Sequence, residues 1–447
     1  MKYEPTLHKL SNGVSVILDP MGIETTSVRI SFSTGSRDEK PEEYGITHFC
    51  EHMLCKGTQR FPVQKDIKNF LKDNGGVSNA FTSNNELCFY GRIIGDNLDK
   101  LIDVFSDQLQ NSRFDPERID LERIVILDEL RRGQDDQDKQ WVDLLSNELF
   151  GNSLYSYQTV GTKQNIESFT REQLLDWVKK RLSAKNCTIV ISGKIPDKNA
   201  VLKQLNDRFA FLPTHDVPEN KEQKYNHKIA HESSDQTKNT TVCIAIPRRF
   251  GFDDTVLLER TCEILFKEYL REEIYDVVRQ KNGLVYGVSI VSWGGEHGMH
   301  LIETKCAPEN VARVTELIAK TCARVYNEKT ITDDWLKRYE AGCLLGDADW
   351  LDSSKKRSDD LLSEYRYAGK LYDFYGIAEM SKNITALDVQ KHISGFFDMP
   401  ISIITKGPDF NADLGAIWKQ NFPNSNIASA RTNIIKQVQN NVNDRDR

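Results

Sequence analysis

His48, Glu51 and His52 fall within five consecutive residues of the stretch Gly45-Ile46-Thr47-His48-Phe49-Cys50-Glu51-His52-Met53-Leu54-Cys55-Lys56-Gly57-Thr58. On a helix, positions i and i+4 stack on one face and position i+3 flanks them. Two imidazoles on one turn then bite a single metal ion, with a carboxylate beside the position they leave open. Zinc chemistry asks for this set: neutral imidazole ligands, room for water, and a carboxylate able to take that water's proton. Two histidines do not complete a site, so a further donor is required. Downstream, Asp115-Pro116 reads as a helix start, a capping carboxylate followed by proline at the first helical position. Along that helix Glu122 and Glu129 stand seven residues apart, two turns, and share a face. Leu121, Ile124, Val125 and Ile126 are expected to bury much of the rest. Glutamates on a mostly apolar helix are costly to bury unless a partner such as a cation takes them.

H-x-x-E-H is the inverted form of the H-E-x-x-H zinc-peptidase signature. With Asn79-Ala80-Phe81-Thr82 and the Glu122…Glu129 helix about seventy residues after His52, the chain resembles the pitrilysin/insulinase zinc metallopeptidases. Its half-length form is most similar to the mitochondrial-processing-peptidase branch, and the resemblance extends over nearly the whole chain. It implies one Zn2+ per chain held by His48, His52 and Glu129, with Glu51 as general base and Glu122 as a supporting carboxylate. Cys50 departs from the family, where an aliphatic residue is common. At i+2 from His48 it points away from the ligand face and reads as a small core residue. A second segment, Arg279-Gln280-Lys281-Asn282-Gly283-Leu284-Val285-Tyr286, resembles the family's run ending in G-L-x-Y. There the resemblance implies that Arg279 holds the substrate backbone and that Tyr286 donates to the oxyanion; both side chains are donors suited to developing negative charge. Asn79, Ala80 and Phe81 follow Gly75-Gly76 on a strand that is a candidate sheet edge, to which an extended peptide adds as a further strand.

These residues need elements to position them. Val28, Ile30 and Phe32 alternate with polar residues over a strand, and Leu98, Leu101, Ile102, Phe105 and Leu109 recur at helical spacing. The same sequence of strands and helices returns after about two hundred residues. Ala307-Pro308-Glu309-Asn310 and its helix echo Ile94-Gly95-Asp96-Asn97 and the helix after it, while Ile401 to Lys406 echo Cys187 to Ile195. We therefore expect an α+β fold of two similar domains, each a mostly antiparallel sheet packed with helices, the half-shell of such peptidases. The expected boundaries are 1–212 for the zinc-binding domain, 213–235 for a polar linker, 236–423 for the metal-free repeat, and 424–447 for a polar, loosely docked tail. Only the first copy carries the histidine motif; the helix after Thr332 has Gly342, Cys343 and Gly346 where acidic residues would fall.

A chain of 447 residues with 39% hydrophobic and 28% charged residues is globular and too long for one core. The net charge of −7 argues against a nucleic-acid surface and is compatible with basic peptides. Nine scattered cysteines without a C-x-x-C pair point to reduced core thiols. With no apolar run of membrane-spanning length and no targeting segment at the start, the expected location is the cytoplasm. The leading expectation is a zinc endopeptidase acting on peptide or unfolded polypeptide inside a chamber. The resemblance implies a second chain of the same family, identical or different, to close it. The alternative is a non-catalytic peptide-binding or assembly subunit, whose usual mark is a broken H-x-x-E-H; here the motif is intact.

Overall fold

Val28, Ile30 and Phe32 alternate with Ser27, Arg29 and Ser31 along a strand, and in the computed structural model each set meets a different layer. The structure describes residues 4–151, 159–218, 225–248, 257–293, 298–371, 379–427 and the strand 433–435. Two units emerge: Met1–Lys224 with Gly342–Phe374, and Tyr225–Ala341 with Tyr375–Arg447.

In the first unit, β1 (Thr6–Lys9), β2 (Ser15–Pro20), β3 (Thr25–Phe32), β4 (Gly76–Thr82), β5 (Leu87–Ile94) and β6 (Cys187–Gly193) form one sheet in the order β1-β2-β6-β3-β5-β4. Only β2 and β6 run parallel; the other neighbours are antiparallel. The described helices of the segment before residue 225 are α1 (Ile46–Leu54), α2 (Gln64–Asp73), α3 (Leu98–Asn111), α4 (Pro116–Asp135), α5 (Gln137–Phe150), α6 (Lys163–Ser168), α7 (Arg171–Arg181) and α8 (Lys198–Arg208). Val28, Ile30, Phe32, Phe89 and Ile191 from the sheet join Phe49, Phe105 and Leu174 from α1, α3 and α7 in the main core.

The opposite face is also apolar at Ile17, Cys88 and Val190, and leaving it open would expose a contiguous hydrophobic surface. Leu361 and Leu362 cover it from a helix, Ser354–Ala368, that arrives from the chain's second half. The sequence reading places that helix within 236–423; it groups instead with the first unit, because its apolar stripe matches this uncovered face. A buried ion pair pins it: Arg357 Nε donates to Asp19 Oδ2 at 2.8 Å, and both side chains are fully buried.

The second unit repeats the pattern with β7 (Ile229–Ser233), β8 (Thr240–Pro247), β9 (Val288–Trp293), β10 (Met299–Cys306), β11 (Ser402–Gly407) and β12 (Asn433–Ile435), in the order β12-β7-β11-β8-β10-β9. Replacing β2, β6, β3, β5 and β4 by β7, β11, β8, β10 and β9 reproduces the first sheet's order, including its parallel pair. The remaining described helices are α9 (Leu257–Tyr275), α10 (Val311–Asn327), α11 (Asp333–Leu351), α12 (Ser354–Ala368), α13 (Ala386–His392) and α14 (Leu414–Asn421). The stretches read as a linker and as a loosely docked tail each contribute a strand: β7 lies inside 213–235 and β12 inside 424–447. In β7 the polar His231 is satisfied, its ring nitrogens 2.9 Å from Thr405 Oγ1 and 3.1 Å from Asp409 Oδ1. Residues 219–224, 428–432 and 436–447 of the expected linker and tail lie outside the described residues.

Candidate metal centre

Helix α1 carries the histidine motif, and both its ends are set by glycine. Gly45 has φ 96°, and a Cβ there would stand 2.4 Å from the Val160 carbonyl oxygen; after the helix, Gly57 has φ 154° and the same conflict with Pro62. Glu39 caps the start. Its carboxylate accepts from the Gly45 and Thr47 amides at 2.8 and 2.9 Å, satisfying donors a helix leaves unpaired. Burial pushes this carboxyl up to about 8, against those two amides. Phe49, Cys50, Met53 and Leu54 are buried, so His48, Glu51 and His52 are left on the remaining face. The Cys50 thiol, buried as expected, points to the Leu174 carbonyl at 3.4 Å.

Helix α4 supplies the carboxylates. Asp115 does not cap it by a side-chain bond, contrary to expectation; it pairs with Arg113 at 3.0 Å instead. Nor do Leu121, Ile124 and Val125 bury the helix, being 51%, 66% and 38% exposed. The buried line is Ile119, Glu122, Ile126 and Leu130, which turns the glutamate face toward α1. Arg123 locks this orientation: its guanidinium lies over the Phe49 ring and donates to the Phe169 carbonyl at 2.9 Å.

The two helices bring His48, His52 and Glu129 together, each offering a ligand atom within 4.8 Å of the other two. Glu129 Oε2 is 3.7 Å from His48 Nε2 and 3.5 Å from His52 Nε2. Donors about 2.1 Å from a tetrahedral ion stand about 3.4 Å apart, so this set fits a zinc ion. Glu122 Oε2 lies 3.1 Å from His52 Nδ1 and 2.9 Å from Lys56 Nζ. An ionised carboxylate only accepts, so Nδ1 carries the proton and Nε2 is the nitrogen turned to the cluster. Glu51 stands beside the pair, its Oε2 accepting from Thr82 Oγ1 at 2.8 Å.

The electrostatics match a site made for positive charge. Burial, together with neighbouring His52, lowers His48 to about 4. Burial also opposes a proton on His52, but the Glu122 and Glu129 carboxylates raise it to about 9. The His52 hydrogen bond holds Glu129 below the usual carboxylate range. Burial pushes Glu122 up, yet His52 and Lys56 hold it low as well. Burial raises Glu51, as suits a group that must receive a proton.

Of the other sequence candidates, Asn79, Ala80 and Phe81 lie on β4, which is the sheet edge. Ala80 is buried on the helical side, while Asn79 Nδ2 donates to Tyr90 Oη at 3.3 Å and Phe81 packs against the Tyr90 ring on the other side. Arg279 and Tyr286 belong to the second unit. They meet each other, the guanidinium 5.6 Å from the tyrosine ring centre, and Tyr286 is 90% exposed just before β9. Thr82, Lys56 and Glu39 were missed as functional neighbours. Only Thr82 had a legible signal, since it shares the helix-facing side of β4 with Ala80.

Residues 16–163 match the family described as insulinase (peptidase family M16), and residues 168–342 match the peptidase M16 inactive domain. The chain belongs to the insulinase family. The first match contains the histidine motif, β4 and both glutamates; the second contains Arg279 and Tyr286. An uncharacterized zinc protease of Rickettsia bellii is 26% identical over 420 residues, 92% of this chain and 99% of that one. Subunit beta of the mitochondrial-processing peptidase of Dictyostelium discoideum is 32% identical over 207 residues, 46% of this chain and 44% of that one. A protease from Helicobacter pylori has the same fold, with a TM-score of 0.78 at 18% identity over 91% of this chain and all of that one. Among the described residues no helix is long and apolar enough to cross a membrane.

Proposed function

We propose that this member of the insulinase family is a zinc-dependent endopeptidase that cleaves short or unfolded polypeptides laid as an added strand along β4, within a chamber closed by a second chain of the family. The observation that carries this reading is the convergence of His48, His52 and Glu129 with Glu51 beside them. His48, His52 and Glu129 would hold the ion, and Glu122 and Lys56 fix the ring of His52. Zinc, when bound, supplies a Lewis acid that polarises the scissile carbonyl and acidifies water.

Glu51 accepts one proton from the attacking water as its oxygen bonds to the carbonyl carbon. It returns that proton to the amide nitrogen as the C–N bond breaks, so the products are a carboxylic acid and an amine, and the acid's proton passes to the amine to leave a carboxylate and an ammonium group. Thr82 holds one carboxylate oxygen of Glu51, leaving the other free to take the proton. The open edge of β4 gives a peptide main-chain partners at Asn79, Ala80 and Phe81 without demanding one sequence. From the second unit we assign Arg279 to the substrate backbone and Tyr286 to the carbonyl oxygen as it becomes negative, on the strength of the G-L-x-Y resemblance and the exposure of Tyr286.

The test is zinc content and cleavage of unstructured peptides by the purified chain and two variants. H52A should lose the metal. E51Q should keep it and lose turnover about 10²–10⁴-fold. Zinc retained in H52A would remove the ligand assignment, and wild-type turnover in zinc-loaded E51Q would move the base elsewhere. A zinc-loaded wild type that binds peptides without cutting them would favour the non-catalytic subunit. For the second unit, Y286F should keep its zinc and lower kcat about 10²–10³-fold with little change in KM; an unchanged kcat would withdraw the role of Tyr286.

A further inference from the structure

Edge strand β4 borders a cavity of about 470 Å³ inside the first unit. Four cations line it and no carboxylate does: Arg29 on β3, Arg92 on β5, Lys68 on α2 and Lys355 on α12. In a chain of net charge −7 this local excess does not follow from composition. Asp359, just outside the lining, pairs with Arg29 and, at 3.1 Å, with Lys355. Among the described residues Arg92 donates to the Thr25 hydroxyl alone, at 2.9 and 3.2 Å. Among the described residues neither Arg92 nor Lys68 has a carboxylate partner, so two cations face the cavity uncompensated.

The register ties this charge to the strand a peptide would join. Val77 stands opposite Arg92 and Asn79 opposite Tyr90 across β4 and β5, and Arg29 stands opposite Tyr90 across β3 and β5. These side chains therefore project to the same side of the sheet, the side α12 covers. Val77 is 68% exposed, so this stretch of β4 is open. A strand added beside β4 sends every second side chain to that side. Thr82 touches Glu51, and Asn79 and Val77 precede it by three and five residues, about 10 and 17 Å along a strand.

We infer that the cavity recognises an Asp or Glu side chain of the polypeptide laid along β4, three to five residues from the bond that is cut. Its distance from that bond rests on the peptidase reading; its preference for a carboxylate rests on the charges alone. Arg92, on the side α12 covers, offers a planar fork suited to a carboxylate, and Lys68 adds a mobile point charge to the cavity from α2, on the other side of the sheet.

The experiment uses the full-length chain and fluorescent peptides of about twelve residues. A single Asp, Ala or Lys is moved in turn through positions on both sides of the cleaved bond, and binding anisotropy is recorded alongside cleavage. The expected result is roughly tenfold tighter binding and lower KM for Asp over Lys at a position three to five residues to one side. That ratio should shrink as salt rises from about 0.05 to about 0.5 M. Charge reversal in R92E/K68E should invert it, and R92Q/K68Q should bring it toward one. Cleavage with equal or Lys-favouring kinetics throughout the window would overturn the inference and leave the peptidase reading intact. An Asp preference that survives R92E/K68E would also overturn it. Asp-favouring binding without any cleavage would uphold the cavity's role and overturn the peptidase reading.

Discussion

At the centre, His52, Glu122 and Glu51 each answer to a further polar residue. Glu122 orients His52, Lys56 steadies Glu122, and Thr82 holds Glu51 by one oxygen. The last contact yields a sharp comparison. T82V keeps the shape of the side chain and removes the hydroxyl, so Glu51 should lose its fixed rotamer. We expect kcat to fall about tenfold or more, the scale of a misplaced catalytic group, with zinc content and KM little changed. T82S restores the hydroxyl and should recover most of the rate. Equal rates for T82V and the wild type would mean that Glu51 needs no anchor. The arrangement was partly legible beforehand. His48, Glu51 and His52 follow from helical spacing, and Glu122 and Glu129 from their shared face. The side of β4 that Thr82 occupies was legible, but its contact with Glu51 was not, because a strand and a helix distant in sequence meet there.

At the scale of elements, α1 depends on a cap from outside itself. Glu39 is buried, and its folded-state pKa of about 8 lies above the ordinary glutamate value of 4.5. The folded protein thus holds this proton more tightly than the unfolded chain does. The sign follows: its contribution to stability is full below about 4.5 and is lost as pH rises through about 8. E39Q removes the titration. In urea unfolding, the stability of the wild type relative to E39Q should therefore decline between pH 5 and pH 8.5; a flat difference would show that Glu39 is ionised throughout. On the far side of the sheet, α12 is held by Arg357 and Asp19. Burial raises the Asp19 carboxyl against the pull of Arg357. R357A would strand this carboxylate and should cost about 3–5 kcal/mol, whereas D19L/R357M, removing both charges, should recover most of that. A loss below about 1 kcal/mol for R357A would indicate that water reaches Asp19 freely.

At the scale of the whole molecule, the sequence by itself determined the local facts and the repeat. The histidine motif, the two-turn spacing of the glutamates, the alternation of β3 and the return of the same strand order were all readable, because each depends on periods of two or 3.6 residues along one segment. The family followed from these residues. Tertiary structure decided what no period encodes. Leu121, Ile124 and Val125 look like core residues in sequence but stand exposed, since Arg123 and the buried line from Ile119 to Leu130 choose the rotation of α4. Strands β7 and β12 hid in polar stretches because a short strand beside an existing sheet needs backbone pairing more than an apolar pattern. Residues 342–374 follow the second unit's helices in the chain yet complete the first unit, because a sheet has two faces and the helices before residue 225 cover one. The cationic cavity beside β4 is of the same kind. Arg29, Lys68, Arg92 and Lys355 are scattered over more than three hundred positions of an acidic chain, and only the packing of α2 and α12 against the sheet gathers their charge.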